Sequence, residues 1–395
     1  MAEWKECTIG DLCNTISDTY KGNDDYVVLV NTSDVLEGKV LNHTAVENKN
    51  LKGQFKKTFR KNDILYSEIR PANKRFAYID FEATANYIAS TKLMVLRHKA
   101  NVLPEFLFAI LKSNYVIKEL QHLAETRSGT FPQITFSSEL APMKVNLPDK
   151  ETQKKIVSVL SCIEQKMNTN EEINNNLLEQ AQALFVSWFV DYEPFGGKMP
   201  NDWENISVYD LADYINGAAF KKSEYAETGL PIVKIAELKN GITDSTQYCN
   251  VKKDEKYYIN DRDILFSWSG NPDTSIDTFI WSMGQAVLNQ HTFRVVSKYD
   301  APAFTFFLLK YLKPQFTHIA SNKQTTGLGH VTVADLKRLQ FSANASVIAE
   351  FNALVMPMFD LIYSKYKEIQ KLSDFRDTLL PKLMSGELDV SDIDL

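Results

Sequence analysis

The sequence predicts an α+β protein. Two homologous, mixed α/β domains are joined by two long helices that form an antiparallel coiled coil, giving a pseudo-two-fold internal repeat. Three observations predict it. Six blocks recur in the same order about 200 residues apart. Each copy opens on short apolar runs broken by turn residues. Each copy then closes on a long helical stretch, the first of which carries a seam at alternating steps of three and four.

The repeat is read directly from the chain. WKECTIGDLCNTISD starts at Trp4 and WENISVYDLADYING at Trp203, an offset of 199. The blocks at residues 59–71 and 259–272 contain Asp63-Ile64-Leu65 and Asp263-Ile264-Leu265, at offset 200. PEFLFAILK from Pro104 matches PAFTFFLLK from Pro302, and SGTFPQIT from Ser128 matches TTGLGHVT from Thr325. A period this long means two related domains rather than a solenoid. Boundaries are expected at 1–148, 149–195, 196–342 and 343–395: domain, helix, domain, helix with an acidic tail.

The elements follow in order. YVVLVNTSDVLEGKV and LPIVKIAELKNGITD each read as strand, turn and strand around a glycine. NDILYSEI and RDILFSWS read as strands, followed by loops containing Pro71 or Pro272. LMVLRH and HTFRVV are further strands, and two shorter helical segments follow each. From Asp149 the chain then lacks Gly and Pro until Pro194. Its seam runs Ile156, Leu160, Ile163, Met167, Asn170, Asn174, Leu177, Ala181, Leu184, Trp188. About 40 residues at roughly 1.5 Å each make a rod near 60 Å long. Asp149 suits the start of this helix as a cap.

Shifting by 195 gives a less regular seam: Phe351, Val355, Met358, Ile362, Lys365, Ile369, Leu372, Arg376, Leu379, Leu383. Pro357 is expected to kink or start this helix. Polar seam positions such as Asn170 and Asn174 cost stability but fix register.

Composition bounds the function. The chain has 395 residues, enough for two or three domains. Its 44% hydrophobic and 11% aromatic content suffices for real cores. No apolar run of the roughly 18 residues a membrane span needs is expected. The start, MAEWKECTIGDL, has no apolar core of a signal peptide. The four cysteines, Cys7, Cys13, Cys162 and Cys249, form no C-x-x-C pair, so neither disulfides nor zinc are expected. These features suggest a cytoplasmic protein with reduced thiols.

No catalytic constellation stands out. Neither a phosphate loop nor a dinucleotide fingerprint is present. NPDTS at Asn271 lacks the second proline and the aromatic of an amino-methyltransferase loop and reads as a turn. The six histidines show no i, i+4 pair, so no metal is expected. No cofactor is expected either.

The loops carry more. After the DIL strands come Arg70, Asn73, Lys74 and Arg75 in one half, and Ser267, Trp268 and Asn271 in the other. Such side chains contact phosphates and base edges. Lys221 and Lys222 form an exposed basic element matched by Lys21. Thr130 and Gln133, with Thr326 and His330, lie in small, glycine-containing stretches suited to close approach to a phosphate.

A net charge of −6 speaks against nucleic acid at first sight. By segment the charge is +2 over 1–148, −4 over 149–195, 0 over 196–342 and −4 over 343–395. The acidity therefore lies on the helices and tail, and the globular domains are neutral to slightly basic. Such a chain is expected to bind DNA weakly alone.

The duplicated DIL blocks, GAAFKKSEYAETGLPIVKIAELKNG, SGTFPQIT, TTGLGHVT and the helices ETQKKIVSVLSCIEQKM and FRDTLLPKLMSGEL together resemble the specificity (S) subunits of type I restriction–modification systems. The resemblance spans essentially the whole chain. It implies two target-recognition domains, each reading half of a bipartite double-stranded DNA target, and helices that act as a ruler for the unread spacer. It also implies two methyltransferase (M) subunits held by those helices, restriction (R) subunits joined through M, and no catalytic centre in the chain itself. Unlike loops in the two halves suggest a non-palindromic target. The alternatives are a recognition subunit of a methylation-only or type IIG-like system, and a coiled-coil scaffold that binds no DNA.

Overall fold

The DIL runs are central strands because both of their faces are covered. Every residue of the strand Asp63–Ser67 is buried, and so is every residue of Ile264–Ser267. Side chains alternate between faces, and the two faces meet different partners. Ile64 and Tyr66 pack with Phe106, Ile110, Val116 and Leu120 of two helices, Pro104–Leu111 and Asn114–Arg127. Leu65 packs instead with Val28, Val30 and Ala89 of a second sheet. The second domain repeats this: Ile264 and Phe266 face Phe304, Phe307 and Phe316, whereas Leu265 faces Val233 and Leu288.

In this computed structural model, residues 4–49, 53–82, 86–127, 131–243, 245–324 and 327–393 are described. The chain divides into two units, Met1–Glu164 with Phe375–Leu395, and Gln165–Asp374. The first contains an antiparallel sheet in the order Cys13–Ile16, Leu93–His98, Asp63–Ser67, Phe76–Tyr78. Its second sheet runs Ala45–Glu47, Tyr26–Val30, Tyr87–Ser90, Phe55–Thr58, with one parallel pair. The other unit has the same order. Ala212–Asn216, Thr292–Ser297, Ile264–Ser267 and Asp277–Ile280 make one sheet. Tyr248–Cys249, Leu230–Val233, Ala286–Leu288 and Tyr258–Ile259 make the other, again with one parallel pair.

One predicted strand is a helix. The second of the two strand-turn-strand segments continues from Leu230–Val233 into the helix Ile235–Asn240. Glu237 accepts the Lys234 N–H at 3.0 Å, and Gly241, at φ +74°, ends the turn. The first-half counterpart does form a hairpin, Val35–Leu36 with Lys39–Val40, about Gly38.

The first long helix is Lys150–Phe189 and the second Ala345–Ser385. Asp149 caps the first through the Thr152 N–H at 3.0 Å. The second continues across Pro357, so that residue does not start it. In the unit Gln165–Asp374 the helices run antiparallel: Lys166 meets Glu368 at 3.6 Å and Phe185 lies 5.7 Å from Phe351. In the other unit Ile156 and Leu160 share a core with Leu380 and Leu383.

The seam needs two corrections. Ile156, Leu160, Ile163, Phe351, Val355 and Ile362 are buried, while Met167, Leu177, Ile369 and Leu372 are half-buried. Past Ala181 the buried stripe steps by four, through Phe185 and Phe189, and leaves Leu184 and Trp188 half-buried. Likewise Phe359 replaces Met358, and Leu380 is more buried than Leu379. The cause is the change of partner. Steps of 3.5 follow a supercoiled neighbour, but these helix ends pack on a globular core, which a straight 3.6-residue helix meets at steps of four.

The second long helix also corrects the expectation about apolar runs. It contains an 18-residue window long and apolar enough to cross a membrane. One stripe of it is occupied: Phe351, Val355, Phe359 and Ile362 lie in the core of the second domain, whereas Leu354 and Leu361 are exposed.

Candidate nucleic-acid interface

The loops after the DIL strands are held in the same way in both domains, by backbone bonds. In the first, the Glu68 N–H donates to the Lys92 carbonyl at 3.0 Å, and the Glu68 carbonyl accepts the Ile134 N–H at 2.8 Å. In the second, the Trp268 N–H donates to the His291 carbonyl at 3.4 Å, and its carbonyl accepts the Val331 N–H at 2.8 Å. Ile69 bridges Gln133, just as Ser269 pairs with His330. Two stretches that lie more than 60 residues apart in sequence thus meet in each domain. Gly329 permits this in the second: a Cβ there would lie 2.2 Å from the Ala320 carbonyl oxygen.

In the first domain the chain turns through Pro71–Asn73, flanked by Arg70 at φ +46° and Lys74 at φ +51°. Left-handed backbone at a residue with a side chain costs roughly 1–3 kcal/mol and clusters at functional places. The matching residue of the second domain is Gly270, at φ +124°, which adopts such a backbone freely. Arg70 therefore occupies a place where glycine is the relaxed choice. Arg70, Asn73 and Lys74 are exposed, and Lys74 pairs with Glu37 at 3.2 Å. Lys21 is exposed on another loop, tied in where the Tyr20 N–H meets the Lys56 carbonyl at 2.8 Å.

Several expected contacts are used internally. Arg75 donates to the carbonyls of Ser33 at 3.1 Å and Val35 at 3.3 Å, so it braces the hairpin loop. Ser267 is fully buried and its hydroxyl has no partner among the described residues, which removes it from any DNA-facing surface. The Asn271 Oδ1 caps the short helix Pro272–Ser275 through the Asp273 and Thr274 N–H groups, both at 3.1 Å. That leaves only its amide N–H groups for a ligand. Thr130 and Thr326 lie outside the described residues.

The second domain brings together an aromatic and amide cluster. The Trp268 indole N–H donates to Asn216 Oδ1 at 3.2 Å. Its ring lies 5.7 Å from both His291 and Phe293. Gln290 and His291 side chains meet at 3.3 Å, and both residues are exposed. The segment from Gly217 docks on residues 288–290: Ala218 N–H to the Leu288 carbonyl at 2.8 Å, Gln290 N–H to the Ala218 carbonyl at 2.9 Å. A Cβ on Gly217 would lie 2.2 Å from the Asn289 carbonyl oxygen. Exposed Lys221 and Lys222 follow directly, and the Lys221 N–H is capped by Glu224 at 2.8 Å. His330 is half-buried on the same edge.

Sequence reasoning missed Glu68, Lys92, Asn216, Gln290 and His291. The signal was available in part: Glu68 stands at the Trp268 position of the repeat. Among the described residues no cluster of His, Cys, Asp and Glu could hold a metal ion.

The chain thus holds two domains of one fold, each with a polar loop cluster on a fixed frame. The family described as type I restriction modification DNA specificity domain matches residues 1–179 and 200–343. The HindI type I restriction enzyme specificity subunit of Haemophilus influenzae is 30% identical, over 98% of this chain and 100% of its own length. The MjaIX specificity subunit of Methanocaldococcus jannaschii is 27% identical, over 75% of this chain and 71% of its own. The crystal structure of the S subunit of the M. genitalium type I restriction–modification system has the same fold, with a TM-score of 0.52 at 15% identity, covering 97% of this chain and 96% of that one. This chain belongs to the type I restriction–modification specificity family, and it is a non-catalytic, DNA-recognition component of such a system.

Proposed function

We propose that each globular domain reads one half of a bipartite, non-palindromic, double-stranded DNA target in the cytoplasm. The two long helices set the length of the unread spacer and dock two M subunits, and R subunits join through M. The complex then methylates adenine at its target and cleaves DNA with ATP. The observation that carries this reading is the shared loop frame bearing unlike side chains. Matching backbone bonds hold Glu68 in one domain and Trp268 in the other, and Arg70 stands in sequence where the second domain has Gly270. One scaffold used twice with different tips suits two different half-sites.

The charge distribution supports the division of labour. Acidic helices do not favour phosphate contact, and near-neutral domains gain little from counterion release. The M subunits therefore supply most of the backbone attraction. The test is co-expression with the M subunit, followed by sequence-specific DNA binding and adenine methylation assays. Specific binding and methylation by the complex, with weak binding by the chain alone, are expected. Absence of methylation together with no preference among DNA sequences contradicts the proposal.

A further inference from the structure

The two domains share a backbone frame and differ in chemistry at one pinned position. Residues 68 and 268 are held on both sides by the same main-chain bonds, so only their side chains are free to differ. In the first domain that side chain is a carboxylate, 19% exposed. Gln133 Nε2 donates to Glu68 Oε2 at 3.1 Å, and Lys92 Nζ approaches the same oxygen at 3.7 Å. Both donors engage Oε2, which orients the group and leaves Oε1 an open acceptor among the described residues. In the second domain the indole N–H of Trp268 is already engaged by Asn216. What remains there is the exposed part of a half-buried apolar ring, packed on the domain core and braced by His291 and Phe293.

The chemistry of base edges separates these two. A fixed carboxylate oxygen accepts from an exocyclic amine, and a carbonyl edge would face it with like charge. In the major groove the amine a single carboxylate oxygen fits is cytosine N4. An apolar ring with its polar atom satisfied matches the thymine methyl group. We propose that Glu68 and Trp268 are the matched specificity-determining residues of the two domains, Glu68 reading a cytosine amine in one half-site and Trp268 a thymine methyl in the other. The inference rests on the DNA-reading function proposed above. Lys92 and Gln133, with Asn216 and His291, are the positioning residues of the pair.

The test uses the full chain co-expressed with its M subunit and maps methylated sites in a randomised DNA library. Glu68→Gln adds a donor where only an acceptor stood and keeps the shape. It is expected to lower the preference for cytosine at one position of one half-site by roughly tenfold or more, leaving the other half-site intact. Trp268→Phe is expected to alter one position of the other half-site only. Gln133→Leu, which loosens the carboxylate without replacing it, should relax the same position as Glu68→Gln and so guards against a folding artefact. If the wild type selects no sequence, the DNA-reading function itself fails. If the wild type selects a bipartite site and these variants leave it unchanged, or alter both halves together, this inference alone is overturned.

Discussion

Arg70 is the residue whose backbone says most about its purpose. Its φ of +46° is strained, and its counterpart in the second domain is a glycine. Arg70→Gly relieves roughly 1–3 kcal/mol of strain but loosens the unfolded chain, which offsets about 0.5–1 kcal/mol. The variant should therefore fold at least as well as the wild type in urea titration. It should still lose about 1–3 kcal/mol of discrimination at one half-site and none at the other. A second residue-scale contrast lies under the loops. Asp63, only 1% exposed, is bidentate to Arg97, with both bonds at 2.8 Å. Asp263 has no such ion pair among the described residues, and burial raises its carboxyl above the ordinary range. Asp63→Asn takes the charge partner from the half-buried Arg97 guanidinium and should cost about 1–3 kcal/mol; Asp263→Asn should cost less. The pH dependence differs in sign from that of a salt-bridged acid. A raised carboxyl opposes folding when charged, so its penalty is relieved as pH falls through its folded value. Asp263→Asn should remove that gain, measured as stability against pH just above the unfolded carboxylate value. A variant that keeps the gain would assign it to another group.

At the scale of elements, the sequence showed most where one rule operates alone. The short apolar run Ile64, Leu65 and Tyr66 specified a strand, and the repeat specified it twice. The long helices were legible from the seam because apolar side chains recur over 40 residues. What escaped were changes of partner. Phe185 replaced Leu184 because the helix end meets a globular core there, and no residue count contains that information. Residues 235–240 form a helix because Glu237 and Gly241 cap it, against the strand pattern around them. The interface followed the same division. Loop positions could be read from the repeat, but Arg75 and Ser267 are committed to the fold, and Glu68 and His291 matter through neighbours distant in sequence. The helix pair carries its own prediction. Asn174 is 1% exposed and both amide atoms lack partners among the described residues. An unpaired buried amide costs about 1–3 kcal/mol, so Asn174→Leu should raise the melting temperature. A fall would reveal a partner for the amide in solution.

For the molecule as a whole, the central claim is that one fold, used twice, reads two different DNA segments independently. The matched frames at residues 68–70 and 268–270 make the domains equivalent in architecture. Their side chains make them unequal in chemistry. The most direct measurement is an exchange. Residues 196–342 are replaced by the corresponding segment of the Haemophilus influenzae relative, the chimera is co-expressed with its M subunit, and the methylated sequence is determined beside that of the wild type. One half of the site and the spacer length are expected to stay the same, while the other half changes to a new sequence. A site in which both halves change, or in which neither does, would contradict the central claim.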